Sequence, residues 1–119
     1  MSECDDKIRT LFEAEGYVID PHTSVAACVY DKYTAKTKDK TPALIASTAS
    51  PYKFTRSVLT ALKGTQEEKD DLKLADGLCA LSHVPLPGAV RELKDAPILH
   101  DTVIDAADMK MQVEKTLGL

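Results

Sequence analysis

The chain has 119 residues, 44% of them hydrophobic and 29% charged, with a net charge of −4. That suits one domain with its own core and is short for two. The acidic balance excludes the basic footprint of non-specific nucleic-acid binding, and no apolar run approaches the length that spans a bilayer. The start, Met1-Ser2-Glu3-Cys4-Asp5-Asp6, does not have the form of a secretory signal or a transit peptide, so a cytoplasmic location is expected. Cys4, Cys28 and Cys79 are scattered, as are His22, His83 and His100. Neither set has the spacing of a disulfide framework or of metal ligands, so reduced thiols and no metal are expected.

In chain order, Ser2 caps a first helix with Ile8, Leu11 and Phe12 as its apolar stripe, and Gly16 ends it. Tyr17-Val18-Ile19 is a short apolar run expected to be extended. Asp20-Pro21 then has the pattern of an N-cap followed by proline at the first helical position. The helix it opens runs to about Thr37, with Val25, Val29 and Tyr33 on one face. After a basic, polar turn, Ala43-Leu44-Ile45-Ala46-Ser47 reads as a buried strand. Ser50 and Pro51 open a third helix lined by Phe54, Val58 and Leu62 and closed by Gly64.

A fourth helix is expected from near Gln66, its acidic first turn (Glu67, Glu68) suiting the helix dipole, with Leu74, Leu78 and Leu81 as its stripe. Pro85-Leu86-Pro87 breaks the chain, and a short helix covers about Pro87 to Leu93. Residues 98–104 are expected to be extended. Asp105 caps a last helix with Met109, Val113 and Leu117 facing inward. The pattern is therefore α/β, rich in helix with two or three strands. So small a sheet under five or six helices would be unusual as a complete domain, which suggests a piece of something larger.

Chemistry concentrates in Ala46-Ser47-Thr48-Ala49-Ser50-Pro51-Tyr52-Lys53-Phe54. Three hydroxyls lie between an expected strand end and a helix start, a position that suits ligand binding in α/β folds. Helix N–H groups there favour a phosphate or carboxylate. Thr48 can offer a hydroxyl to a ring nitrogen or an anion, and Lys53 adds a positive charge. Each residue also has a plainer explanation. Ser50 serves as an N-cap, Ser47 and Thr48 satisfy a turn, and Lys53 is a solvated charge. In Asp20-Pro21-His22-Thr23 a helix start accounts for the residues fully, and His22 reads as a packing or hydrogen-bonding histidine. Cys28, beside Ala26 and Ala27, reads as core packing. Glu67, Glu68, Asp70 and Asp71 read as a solvated acidic face.

Gly16-Tyr17-Val18-Ile19-Asp20-Pro21-His22-Thr23-Ser24-Val25-Ala26, followed by Ser47-Thr48-Ala49-Ser50-Pro51-Tyr52-Lys53-Phe54, resembles the C-terminal part of threonine synthase. Pro97-Ile98-Leu99-His100-Asp101-Thr102-Val103 resembles the tail of that family. The resemblance covers about Gly16 to Val113, nearly the whole chain. The common family form has His where Ser50 stands and Ala where Tyr52 stands, so a role carries over to Thr48 and not to Ser50.

The resemblance implies that residues 1–119 are a C-terminal segment of a fold type II pyridoxal-phosphate enzyme: a portion of the cofactor domain plus C-terminal helices. Such enzymes convert O-phosphohomoserine and water to threonine and phosphate. The lysine that carries the cofactor is implied to lie in an N-terminal part of the same enzyme, so no catalytic residue is assigned here and this segment alone is expected to be inactive. Thr48, with neighbouring Ser47, matches the hydroxyl contact to the cofactor's pyridine nitrogen. A neutral hydroxyl, unlike a carboxylate, does not hold that nitrogen protonated, which moderates the ring as an electron sink. Lys53 could attract the substrate's phosphate. The implied partner is the N-terminal part, and an uncovered apolar face would allow self-association. The competing readings are a free-standing small α/β module for binding or oligomerisation, and an independent phosphate-binding domain using the Ser47–Lys53 loop.

Overall fold

A computed structural model describes residues 2–119. Helix α1 (Glu3–Glu15) begins at a capping box: the Asp5 amide donates to Ser2 Oγ at 3.2 Å and the Ser2 amide donates to Asp5 Oδ2 at 2.8 Å. Those bonds hold the Asp5 carboxyl below its usual value, the Ser2 backbone bond contributing most. Gly16 ends the helix at φ 67°, a left-handed conformation that costs glycine little. Helix α2 (Pro21–Thr37) starts on Asp20 as the Asp-Pro pair requires. The 3₁₀ turn Pro51–Phe54, capped by Ser50, runs into α3 (Thr55–Lys63). Helices α4 (Asp71–Ser82), α5 (Gly88–Glu92) and α6 (Met109–Leu117) complete the order, with a second 3₁₀ turn, Ala106–Asp108, leading into α6.

The architecture is all-helical: among the described residues there is no strand. This overturns the α/β reading. Residues 43–47 lack helical structure as expected, but no segment pairs with them, and Leu44 and Ile45 are exposed rather than buried. The same holds for residues 98–104, where Ile98, Leu99 and Val103 stand in the open. A β-strand exists only through its ladder to a neighbour, and apolar runs record the inclination without supplying the partner. Tyr17-Val18-Ile19 is likewise no strand, although Val18 and Ile19 enter the core.

Helix α4 starts at Asp71, not near Gln66. The reason is visible in the preceding loop. Arg56 donates to the carbonyls of Glu68 (2.7 Å) and Lys69 (3.2 Å) and pairs with Asp71 at 2.7 Å. Those carbonyls are the ones an earlier helix would need for its own ladder. Gln66 turns back to the Gly64 carbonyl at 2.6 Å. Asp70 then caps, accepting from the amides of Leu72 (2.9 Å) and Lys73 (3.4 Å).

The core lies where α1 packs on α2 and α3, and α3 packs on α4. Ile8, Val58, Leu59, Leu74 and Leu78 fill it, with Leu11, Phe12, Leu62 and Leu81 against its edge. Tyr52 joins the core and donates its hydroxyl to the Val84 carbonyl, and burial pushes its phenol upward from the usual value. Helix α2 turns its small, polar side inward: Ser24 donates to the Cys4 carbonyl at 2.6 Å, and buried Cys28 sits beside the Glu3 carbonyl at 3.7 Å. Its Val25, Val29 and Tyr33 face outward. The expectation that Met109, Val113 and Leu117 face inward is also corrected. All three are more than half exposed, because α6 finds its principal contact in the 3₁₀ turn just before it.

Candidate functional site

The two motifs of the sequence meet at the start of α2. Asp20 is fully buried, and its carboxylate divides its work between two oxygens. Oδ1 accepts the amides of His22 (2.9 Å) and Thr23 (3.3 Å), which makes it the helix cap. Oδ2 accepts the Thr23 hydroxyl and, at 3.4 Å, the hydroxyl of Ser47 across 27 residues of sequence. The Thr23 hydroxyl is also 3.0 Å from Ser47 Oγ. Burial alone would push the Asp20 carboxyl up. The Thr23 hydroxyl and the two amides outweigh it, leaving the group below its usual value and ionised.

A second contact joins the same two stretches. The His22 ring packs against the Phe54 ring at 4.8 Å between centroids, tilted by 53°, with Nδ1 at 3.3 Å from Asp20 Oδ1. The contact with Phe54 agrees with the packing side of the packing-or-hydrogen-bonding reading of His22, on a side chain that is 67% exposed. The Asp20–Thr23 turn and the Ser47–Phe54 stretch are held to each other at both ends, polar at one and aromatic at the other.

Of the candidate residues, Ser47 is engaged in this network. Thr48, next to it, is exposed, and its hydroxyl bonds to none of the described residues. Ser50 accepts the Tyr52 amide at 3.2 Å, the capping role its pattern implied. Lys53 lies beyond that cap, on the rim of a groove of about 360 Å³ between the 3₁₀ turn and α3 on one side and α4 and α5 on the other. Its ammonium is 5.9 Å from the Phe54 ring centre and has no carboxylate in ion-pairing range among the described residues. Arg56, in the same groove, is already taken by Asp71 and two carbonyls. Lys53 is therefore the cation of this groove with charge to spare.

The arrangement leaves a neutral hydroxyl on offer at Thr48 and a positive charge at Lys53, both carried on a stretch pinned by buried groups. Cys28 is not part of it; burial raises its thiol, which makes it a poor nucleophile. Sequence reasoning missed the part played by Asp20 and Thr23, because a helix cap explained them completely. The available signal was a cap whose second carboxylate oxygen had no assigned partner, in a chain with a hydroxyl-rich stretch elsewhere.

Residues 23–114 match the family model described as "Threonine synthase, C-terminal". The chain belongs to the threonine synthase family. It corresponds to that family's C-terminal part, as Ser47-Thr48-Ala49-Ser50-Pro51 and the Asp20-Pro21-His22-Thr23 turn suggested. Threonine synthase-like 1 of Macaca fascicularis is 33% identical over 121 residues, which take in 97% of this chain and 16% of that protein. Threonine synthase of Saccharomyces cerevisiae is 37% identical over 78 residues, 59% of this chain and 15% of its own length. Threonine synthase-like 1 of Mus musculus is 47% identical over 60 residues, 50% of this chain and 8% of its own. The chain thus spans only a small part of the length of these relatives. No helix among the described residues is long and apolar enough to cross a membrane.

Proposed function

We propose that this chain is the C-terminal segment of a cytoplasmic, pyridoxal-phosphate-dependent lyase of threonine biosynthesis, which converts O-phosphohomoserine and water to threonine and phosphate. The observation that carries the reading is the exposed Thr48 hydroxyl, without a partner among the described residues, on a segment anchored through Ser47 to buried Asp20. This donor set suits the cofactor's pyridine nitrogen. A ring nitrogen kept free of a fixed proton accepts from a neutral donor, and Thr48 is neutral, accessible and next to the anchor. When bound, the cofactor supplies the electron sink that amino-acid chemistry at the α- and β-carbons requires.

The segment's own residues have separate tasks. Thr48 donates its hydroxyl to the ring nitrogen and leaves that nitrogen without a fixed proton. Ser47 sets the backbone from which Thr48 reaches. Lys53 draws the substrate's phosphate by charge, at long range and without a fixed geometry. Val25, Val29 and Tyr33 on α2, together with Leu44 and Ile45, offer apolar surface to the N-terminal part of the same enzyme. Presented by the segment alone, the same surface supports self-association. No lysine of this chain is given the cofactor-carrying role, so the 119-residue chain by itself is expected to produce no threonine.

The test is Thr48→Val in the full-length enzyme that carries this segment. Turnover is expected to fall roughly ten-fold, about 1.4 kcal/mol of transition-state stabilisation. The melting temperature should hardly move, because the side chain is exposed and its hydroxyl bonds to none of the described residues. Unchanged kinetics with the cofactor still bound would remove Thr48 from the site.

A further inference from the structure

We propose that Asp20 is a positioning residue for the Ser47–Thr48 stretch: its outer carboxylate oxygen, with the Thr23 hydroxyl, fixes Ser47 and thereby the place from which Thr48 presents its hydroxyl. The relevance to a cofactor rests on the reading of Thr48 given above; the anchoring itself does not.

Three observations carry it. First, the tie is long-range and buried at its root. Asp20 has no exposed surface, yet it bonds to a residue 27 positions along the chain. Second, the His22–Phe54 ring contact lies beyond Ser50, so the part of the stretch that carries Thr48 depends on Ser47. Among residues 43–49, Ser47 is the one whose hydrogen bonds reach another element. The neighbours Leu44, Ile45 and Thr48 are all exposed. Third, the two oxygens of Asp20 are not redundant. Oδ1 caps α2 through the amides of His22 and Thr23, and Oδ2 faces the two hydroxyls. An N-cap needs one acceptor, and asparagine would serve as well. A carboxylate at this position is explained by its second oxygen, which accepts from two hydroxyl donors. The helix start and the hydroxyl-bearing stretch are thereby held by one buried charge.

This division allows the tie to be weakened without removing the cap. In Asp20→Asn the side-chain carbonyl stays on the helix amides, the charge that the two hydroxyls donate to is lost, and both hydroxyls must turn round to accept from an NH₂ group; Ser47→Ala is the variant that cuts the tie. Ser47→Ala removes the other end at an exposed residue, where folding is at little risk. Ser47→Thr keeps the hydroxyl and serves as the rescue.

The measurement is backbone ¹⁵N relaxation of residues 46–49 in the 119-residue chain, without any ligand. In the parent chain these amides should show order parameters near those of a rigid backbone, about 0.85. In Ser47→Ala they should fall toward the flexible range, below about 0.6, and in Asp20→Asn they should fall in the same direction but less far. The α2 amides should be unchanged, and the double variant should be no more mobile than Ser47→Ala alone. Ser47→Thr should keep the order. Mobile amides in the parent chain, or unchanged order in Ser47→Ala, would overturn the proposal. Independent, additive losses in the double variant would overturn it too, because they would mean that Asp20 does not act through Ser47. The cofactor reading is separable. If the order parameters behave as stated while Thr48→Val leaves the visible spectrum of the full-length holoenzyme unaltered, the anchoring stands and the role of Thr48 at the pyridine nitrogen falls.

Discussion

The helical body and the C-terminal arm carry the same kinds of sequence signal and differ in what those signals achieve. In the body, Ser2 and Asp5 close a capping box, and the stripe behind them puts Ile8 in the core. In the arm, Asp105 precedes a helical turn in the expected place, but its side chain makes no capping bond. The stripe Met109, Val113, Leu117 lies more than half exposed. From residue 91 to 119 every residue is exposed except half-buried Gln112. The radius of gyration is 18.8 Å, with extents of 59 × 32 × 26 Å, whereas a compact chain of this length would have about 13–14 Å. Local pattern selects helix in both regions; only a facing surface converts a stripe into a core.

The sharpest way to test that contrast is to truncate one leucine on each side. Leu78 is 1% exposed and Leu117 is 65% exposed. Leu78→Ala should cost about 2–5 kcal/mol, from lost burial and the cavity left behind. Leu117→Ala should stay within about 0.5 kcal/mol. Urea denaturation of the 119-residue chain reads both. A comparable loss at Leu117 would mean that the arm is packed in solution.

The same contrast explains how far the sequence could be read. Three helix starts were legible, at Ser2, Asp20 and Ser50, each of which caps a nearby backbone amide where its pattern places it. The start of α4 was not, because it depends on Arg56 reaching across to the carbonyls of Glu68 and Lys69. The strands were misread for the same kind of reason. Residues 43–47 carry the composition of a strand and lack a neighbour to pair with. At the candidate site, Ser47, Thr48 and Lys53 were singled out by type and order, and of these the structure ties Ser47 to another element. The Asp20–Thr23–Ser47 tie itself was not legible, since a cap already accounted for two of its members.

Acid should weaken the body through Asp20. Its carboxyl is lower in the folded state than its ordinary 3.8. The associated stability is therefore fully present above the ordinary value and is lost as pH falls through the lower folded value. Asp5, lowered by Ser2, adds in the same direction. Melting curves taken from near neutrality to below pH 4 should show the chain losing more stability than Asp20→Asn across that last stretch, so that the gap between them narrows. A gap that stays constant with pH would mean that the charge at Asp20 gives the fold nothing the amide lacks.

The smallest effect concerns the seam between the two regions. Lys94 places its ammonium 2.6 and 2.8 Å from the Asp76 carboxylate oxygens and so ties the root of the arm to α4. Both side chains are partly in water, at 33% and 52% exposure. Their pairing should therefore be worth no more than about 1 kcal/mol. Lys94→Ala is expected to lower stability by that amount or less in dilute buffer. The difference should shrink in about 1 M salt, where the Debye length is about 3 Å. The informative readout is proteolysis. If this ion pair is what restrains the arm, cleavage within residues 95–105 should quicken in the variant while the body stays intact. High salt should quicken cleavage of the parent chain in the same region, with protease activity calibrated separately. Equal cleavage rates for both chains at low salt would show that the arm takes its position without Lys94, and the boundary of the body would then lie earlier in the chain.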